Sequence, residues 1–370
     1  MESHARASID LDVIAANVAA VRERVAPVAV MAVVKAGGYG HGAVAAARAA
    51  VRGGADWFGV VHVAEALELR AAGIDGPLLC LMAIDSDNHC AAIAAGVDLS
   101  AGSAEMVRRL AAAAAKAGRP ARVHLKADTG LSRGGATAAD WPRVLEAAAE
   151  AEAAGLLTVA GLWSHFASAD EPGNASVAAQ LEAFEVALAA AKKLGVTPEL
   201  RHIANTAATL ETPEAHYDLV RVGGGIYGLS TLPGGPPGWL RPAMTLRTRL
   251  VLVKRVPAGT GVSYGHRYVT PRETTLGLVP LGYADGVPRA ATGLPLLFAR
   301  GRRWPVAGTV CMDQLVVDFG DEPVAVGDEV VLFGPGDDGE ATAQEWGDTL
   351  GTISYDIVTR IGARVPRSYS

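Results

Sequence analysis

A barrel of alternating strands and helices, followed by a mostly β domain, is the architecture this sequence predicts. Three observations predict it. Between residues 28 and 228, short apolar runs alternate with alanine-rich segments of helical length. A Pro/Gly stretch, STLPGGPPGW at 230–239, then breaks the pattern. Beyond it the chain reads as strands separated by Gly, Pro and Asp turns. With 370 residues, the chain is long for one domain and comfortable for two.

The elements follow in order. ASIDLDVIAANVAAVRERV near the start reads as one strand and one helix, and the strand is free to pair with either domain. Eight apolar runs come next: VAVMAVVKA, DWFGVVH, PLLCLMA, GVDLSAG, ARVHLKAD, LTVAGLWSHF, ELRHIAN and DLVRVGGG. Helical segments at 63–72, 103–117, 139–154 and 175–194 separate several of them. Unbroken apolar strands alternating with helices mark a parallel sheet covered on its outer face. Eight such units fit a (β/α)8 TIM barrel. The competing doubly wound sheet would carry G-x-G-x-x-G after its first strand, and none stands there. Residues 1–235 are therefore assigned to the barrel and 236–370 to the mostly β domain, whose runs include AMTLRTRLVLVKRV, TTLGLVPLGYADG and VGDEVVLFG. A helical pattern returns at 342–351.

Composition narrows the function. Half of the residues are hydrophobic and 19% are charged, which suits a large packed core and excludes wholesale disorder. The net charge is −6 and no Lys/Arg run stands out, so nucleic acid and anionic membranes are not the expected partners. Cys80, Cys90 and Cys311 form no C-x-x-C pair, which argues against disulfides and zinc. The N-terminal stretch has no basic start followed by an apolar run, and no apolar run is long enough to span a bilayer. A cytoplasmic location is the expectation.

In a barrel of this kind, residues at the C-terminal ends of strands face the active site. Lys35 ends the first strand, and Lys126 and Asp128 the fifth, with Arg133 just beyond. Ser164 and His165 end the sixth; His202, Asn205 and Thr206 end the seventh; Arg221 and Gly223 to Gly225 end the eighth. Each alone has an ordinary explanation, whether a solvated lysine, a core histidine or a plain turn. Together they make a pocket for an anionic, polar ligand, with glycine backbone where barrels often hold phosphate. No Asp/Glu/His set has metal-ligand spacing, so no metal is called for. A lysine able to lose its proton there suggests a Schiff base with a carbonyl. Pyridoxal 5'-phosphate, an aldehyde bearing a phosphate, suits both halves of the pocket.

AVVKAGGYGHG resembles the cofactor-lysine signature of the alanine racemases, pyridoxal-phosphate enzymes that interconvert L- and D-alanine. The resemblance continues through HLKADTGLSRGG, WSHFASADE, HIANTAA, VRVGGGIYG, VSYGHRY, LGYADGVPR, GTVCMDQ and ISYDIVTRIGARVPR, covering nearly the whole chain. It implies a barrel followed by a β domain, and a head-to-tail homodimer whose sites are completed by the partner's β domain. It also implies a cell-wall role, the supply of D-alanine for peptidoglycan. Carried over residue by residue, it makes Lys35 the Schiff-base lysine and one catalytic base. Tyr264 of the partner chain becomes the other base, its phenol lowered by the positive field of His165 and Arg221. Arg221 would also face the pyridine nitrogen. Arg133 would hold the cofactor's phenolic oxygen and the substrate carboxylate, and Lys126 would be the lysine carried carbamylated. Tyr39, Thr206, Gly223, Gly224 and Tyr355 would hold the phosphate, with Asn205 beside it, while Tyr283 and Met312 from the partner would contact substrate.

The chain departs from the family pattern at Gly37 and Gly38, where Asn or Asp and then Ala are usual. Two glycines there are expected to loosen the backbone beside Lys35. Thr206 stands for the common Ser, and the glycine run 223–225 replaces bulkier residues. Three rival readings remain. A pyridoxal-phosphate amino-acid decarboxylase of the same plan gains some footing from Cys311, although such enzymes put an acid where Arg221 stands. A non-catalytic pyridoxal-phosphate carrier is opposed by Tyr264, Tyr283 and Met312. A serine or broad-specificity racemase differs only in pocket shape.

Overall fold

The computed structural model describes residues 4–370; residues 1–3, at the head of the expected first domain, lie outside the described part. Eight parallel strands form the barrel: β2 (Ala29–Val33), β3 (Trp57–Val60), β4 (Leu78–Cys80), β5 (Asp98–Ala101), β6 (Ala121–Lys126), β7 (Leu157–Trp163), β8 (Leu200–His202) and β9 (Leu219–Val222). Their order is β8-β7-β6-β5-β4-β3-β2-β9. At β8 and just past its end, the edges meet through Asp218 N–H to Arg201 O at 3.1 Å and Arg221 N–H to Ala204 O at 3.1 Å. These bonds close the ring. All eight expected runs supply a strand, and their apolar composition follows from burial on both faces, as at Val30, Met31 and Ala32.

Outside lie the helices. Those at Val63–Ala71, Ala104–Ala117, Trp141–Ala153 and Ala175–Lys193 fall within two residues of the expected limits. Capping sets their starts. Ser103 accepts from Met106 N–H at 3.1 Å, and Asn174 accepts from Ser176 N–H at 2.9 Å. Val107, Leu110, Ala111 and Ala114 turn the Ala104–Ala117 helix toward the sheet.

The second part is built from short, mostly antiparallel strands. Its larger sheet orders β16 (Arg302–Trp304), β15 (Leu297–Ala299), β18 (Glu329–Phe333), β10 (Met244–Arg249), β1 (Ala5–Ile9) and β19 (Arg367–Tyr369). A second sheet joins β11 (Leu252–Val256), β14 (Thr274–Val279) and β17 (Leu315–Gly320), beside the hairpin of β12 (Gly261–Val262) and β13 (Tyr268–Val269). The first strand of the chain thus pairs within the β part, antiparallel to β10 and parallel to β19. Helices Ala343–Leu350 and Ser354–Thr359 follow β18, the first opened by a capping box between Thr342 and Glu345. Among the described residues the main apolar core runs through both parts, and a smaller cluster of Val256, Val262, Leu276 and Ala307 lies within the β part. Asn17, on the helix Leu11–Val25, stitches them where the chain crosses over, donating to Ile226 O and Arg241 O and accepting from Arg241 N–H. Among the described residues no helix is long and apolar enough to cross a membrane.

Candidate active site

β2 runs through Val34 into Lys35, and the backbone then does something unusual. Ala36 (φ 53°, ψ 49°), Gly37 (62°, 36°) and Gly38 (64°, 46°) are left-handed, and Tyr39 continues at φ 52°. A non-glycine residue in that region costs about 1–2 kcal/mol. Gly37 and Gly38 therefore relieve the turn where the sequence reading expected them to loosen it. A Cβ on Gly37 would meet open space, so its role is conformational rather than steric. The entry to the turn is fixed by Glu65, whose Oε1 accepts from Ala36 N–H at 2.7 Å while Oε2 accepts from Val61 and His62 N–H. Burial lowers the Lys35 pKa; Arg133 and Arg221 lower it further, and Glu65 opposes them.

After β9 the glycines form a cradle. A Cβ on Gly223 would stand 2.1 Å from the Tyr39 hydroxyl, and one on Gly224 would stand 2.1 Å from the Tyr355 hydroxyl. Only glycine lets both phenols approach the backbone so closely. Burial pushes the Tyr39 phenol up and holds Tyr355 at about 12, so each remains a hydrogen-bond donor at neutral pH. Thr206 Oγ1 accepts from Gly223 N–H at 3.1 Å and Gly225 N–H at 3.4 Å. Asn205 caps the short helix Thr206–Glu211 by accepting from Ala208 N–H at 3.0 Å.

Across the cavity stands a wall of nitrogen. Arg221 donates to Ser164 O (2.9 Å), Ile203 O (3.0 Å), His202 Nδ1 (3.0 Å) and His165 Nδ1 (3.0 Å). Arginine has no acceptor, so both imidazoles receive its protons at Nδ1 and are neutral. Burial and then Arg221 hold His165 well below its usual range. The positive field expected from His165 plus Arg221 is thus the field of Arg221 alone, with His165 an uncharged ring. His202 is wholly buried and donates its Nε2–H to His124 Nδ1 at 2.9 Å, and His124 donates its Nε2–H to Asp98 at 3.2 Å. It supports Arg221 from beneath, and Ser164 likewise spends its hydroxyl on Ala127 O. Burial brings Arg221 down to about 9, still charged at neutral pH. Lys126, 4.4 Å from the Trp163 ring, is lowered to about 8 by burial and then by Arg221 and Arg133.

Lys35, the cradle, Arg133 and this wall line one cavity of about 930 Å³. Tyr264, Tyr283 and Met312 do not line it. They are 74%, 45% and 52% exposed on the β part, drawn together by Tyr283 N–H to Cys311 O and Thr309 Oγ1 to Tyr264 O. Cys311 engages Ser263 Oγ at 3.2 Å and does not line the cavity either.

Comparison with known proteins gives this geometry its context. The alanine racemase N-terminal domain family matches residues 9–231, and the alanine racemase C-terminal domain family matches 243–369. The alanine racemase of Thermobifida fusca is 59% identical over 370 residues, covering 100% of this chain and 99% of that protein. The chain belongs to the alanine racemase family. The Frankia casuarinae alanine racemase is 58% identical, covering 98% of this chain and 95% of its own. The crystal structure of alanine racemase from D-cycloserine producing Streptomyces lavendulae superposes with a TM-score of 0.98 at 52% identity, covering 100% and 98%.

Alanine racemases work with pyridoxal phosphate, and the residues here fit it. Two neutral phenols, a threonine hydroxyl and side-chain-free glycine backbone suit a phosphate, and a buried lysine of lowered pKa suits an aldehyde. Sequence reasoning missed the supports of the site. Glu65 sits in an ordinary helical run, and His41, which donates from Nδ1 to Gly38 O and Tyr39 O, hid in the glycine stretch. Neither carries a local signal, because what each holds is backbone.

Proposed function

We propose that this protein is a pyridoxal-phosphate-dependent alanine racemase, acting as a cytoplasmic homodimer that supplies D-alanine for peptidoglycan. Of the domain expected over residues 1–235, the barrel that follows β1 carries the cofactor; residues 236–370, joined by β1, add Tyr355 to that site and complete the site of a second copy. The observation that carries the reading is the single cavity in which Lys35, Arg221 and the glycine–tyrosine cradle meet. When bound, pyridoxal phosphate would supply an aldehyde for the substrate amine and a ring that draws electrons from its α-carbon.

This chain's residues supply the rest. Tyr39, Tyr355, Thr206 and the backbone of Gly223 and Gly224 would hold the phosphate, with Asn205 alongside. Lys35, its charged form disfavoured by burial, takes or returns the α-proton on one face. Tyr264 of a second copy does so on the other, which is why its exposure in one chain supports the reading. Arg221 would face the pyridine nitrogen and, as a group that does not surrender its proton, would leave the ring a weaker electron sink and disfavour transamination. Uncharged His165, with Nε2–H free of Arg221, presents a donor toward the Tyr264 oxygen. Arg133 holds the substrate carboxylate, while Tyr283 and Met312 of the second copy close over the small side chain. Lys126, with its amine titrating near 8, is suited to carry a carbamate that orients Arg133.

The test is conversion of L-alanine to D-alanine, with serine in parallel, by wild type, Lys35→Ala and Tyr264→Phe. Wild type should racemise alanine and absorb in the violet. Tyr264→Phe should keep the absorbance and lose about 10²–10⁴-fold in rate; Lys35→Ala should lose both. A wild type that binds cofactor but turns over only serine, or releases carbon dioxide, would replace this reading.

A further inference from the structure

The left-handed turn after Lys35 raises the question of what keeps it in place. Its carbonyls are fully accounted for. Ala36 O accepts from Gly40 N–H (3.1 Å), Gly37 O from Gly42 N–H (2.7 Å) and Gly38 O from His41 N–H (2.9 Å). His41 Nδ1–H reaches Gly38 O and Tyr39 O. All these partners lie within the turn itself, so they preserve its shape without fixing where it points. The fifth carbonyl is different. Gly40 O accepts from Arg367 Nε–H at 2.9 Å, and Arg367 stands on β19 in the β part.

Three more donors of Arg367 are also spent on backbone. Nη1 donates to Gly362 O (2.8 Å) and Val365 O (2.9 Å), and Nη2 to Ile361 O (2.6 Å). Among the described residues no carboxylate is involved. One rigid guanidinium fork thus joins the exit of the Lys35 turn to the segment 361–365, which follows the helix bearing Tyr355. Two close approaches reinforce the junction. A Cβ on Gly40 would lie 2.5 Å from Val358 O, and one on Gly42 would lie 2.1 Å from the Tyr369 hydroxyl.

We propose that Arg367 is a positioning residue for the cofactor: by tying Gly40 O to residues 361–365, it sets the direction of Lys35 relative to the Tyr355 side of the phosphate cradle. This rests on the reading of Lys35 as the cofactor-bearing lysine. The β part thereby serves the site of its own chain, in addition to the site it completes in a second copy.

The experiment compares wild type, Arg367→Met and Arg367→Lys after removal of cofactor. Pyridoxal 5'-phosphate rebinding is titrated by absorbance from pH 6 to 10, and amide hydrogen exchange is followed in the same proteins. Arg367→Met should bind pyridoxal phosphate about tenfold more weakly or worse. Its amides at 38–42 should exchange faster while those of β5 and β6 keep the wild-type rate. The pH midpoint of cofactor capture should rise as Lys35 regains solvent. Arg367→Lys, which cannot reach all four carbonyls, should fall between, and it carries the test if the methionine variant does not fold. Wild-type affinity with unchanged exchange at 38–42 would overturn the proposal. So would equal loosening of β5 and β6, which would make Arg367 a general stabiliser. Borohydride trapping and peptide mapping of the wild type keep the premise separate. Trapping on another lysine would overturn the assignment of Lys35, while the exchange rates would still decide whether Arg367 holds the turn.

Discussion

Lys126 shows what crowding cations into one cavity does to an amine. Folded, it titrates near 8; in the unfolded chain it titrates near 10.4. Between those values the unfolded chain holds more protons, so the contribution of this group to stability rises with pH across that window and is smallest below pH 8. Urea unfolding of cofactor-free protein at pH 7.5 and 9.5 should show that rise in wild type and a flatter response in Lys126→Met. Equal slopes would mean that Lys126 is solvated. Lys126 and Arg221 were legible in the sequence because a cation ending an apolar strand is conspicuous. Gly37 and Gly38 were legible as glycines but not as left-handed residues, since flexibility and a required positive φ look identical in a sequence. His165 was recognised as a site residue, yet its neutrality depends on which of its nitrogens Arg221 occupies, and that is a matter of geometry.

At the scale of elements, the short helix Thr206–Glu211 joins fold and site. Asn205 starts it by capping Ala208 N–H, and the next residue, Thr206, receives the glycine N–H groups of the cradle. Asn205→Ala should cost about 1 kcal/mol of stability through the lost cap. Asn205→Asp keeps a capping oxygen, so the cofactor-free protein should unfold at about the wild-type urea concentration. Its added charge beside the phosphate should nevertheless weaken pyridoxal phosphate binding. If both variants lose affinity in step with stability, Asn205 serves the helix alone. The eight barrel runs were readable because strands buried on both faces must be continuously apolar. The pairing of β1 was not, because Ala5–Ile9 alternates buried and partly exposed positions and finds its neighbours only far along the chain.

For the whole molecule, the proposed arrangement puts Lys35 and Tyr264 of any one site on different chains. Mixing Lys35→Ala with Tyr264→Phe chains, unfolded and refolded together, is a direct check. A mixed dimer would carry both lesions in one site and neither in the other. At random assortment about a quarter of wild-type alanine racemisation should return, from two proteins nearly inactive apart. No recovery would place both groups of a site on one chain.

The position of β1 also bears on how the protein is made. Residues 5–9 pair with 244–248 on one side and with 367–369 on the other, so the entire barrel is synthesised between a strand and its neighbours. During translation β1 emerges first and has neither neighbour until residues 244–248 follow the barrel. The segment bearing Arg367 arrives after every barrel strand is out. A ribosome that stalls between the barrel and β19 would therefore leave a chain with its lysine present and its turn untethered. With Arg367 in its proposed role, the order of synthesis would make tight cofactor capture a late event, reached after the β part has emerged.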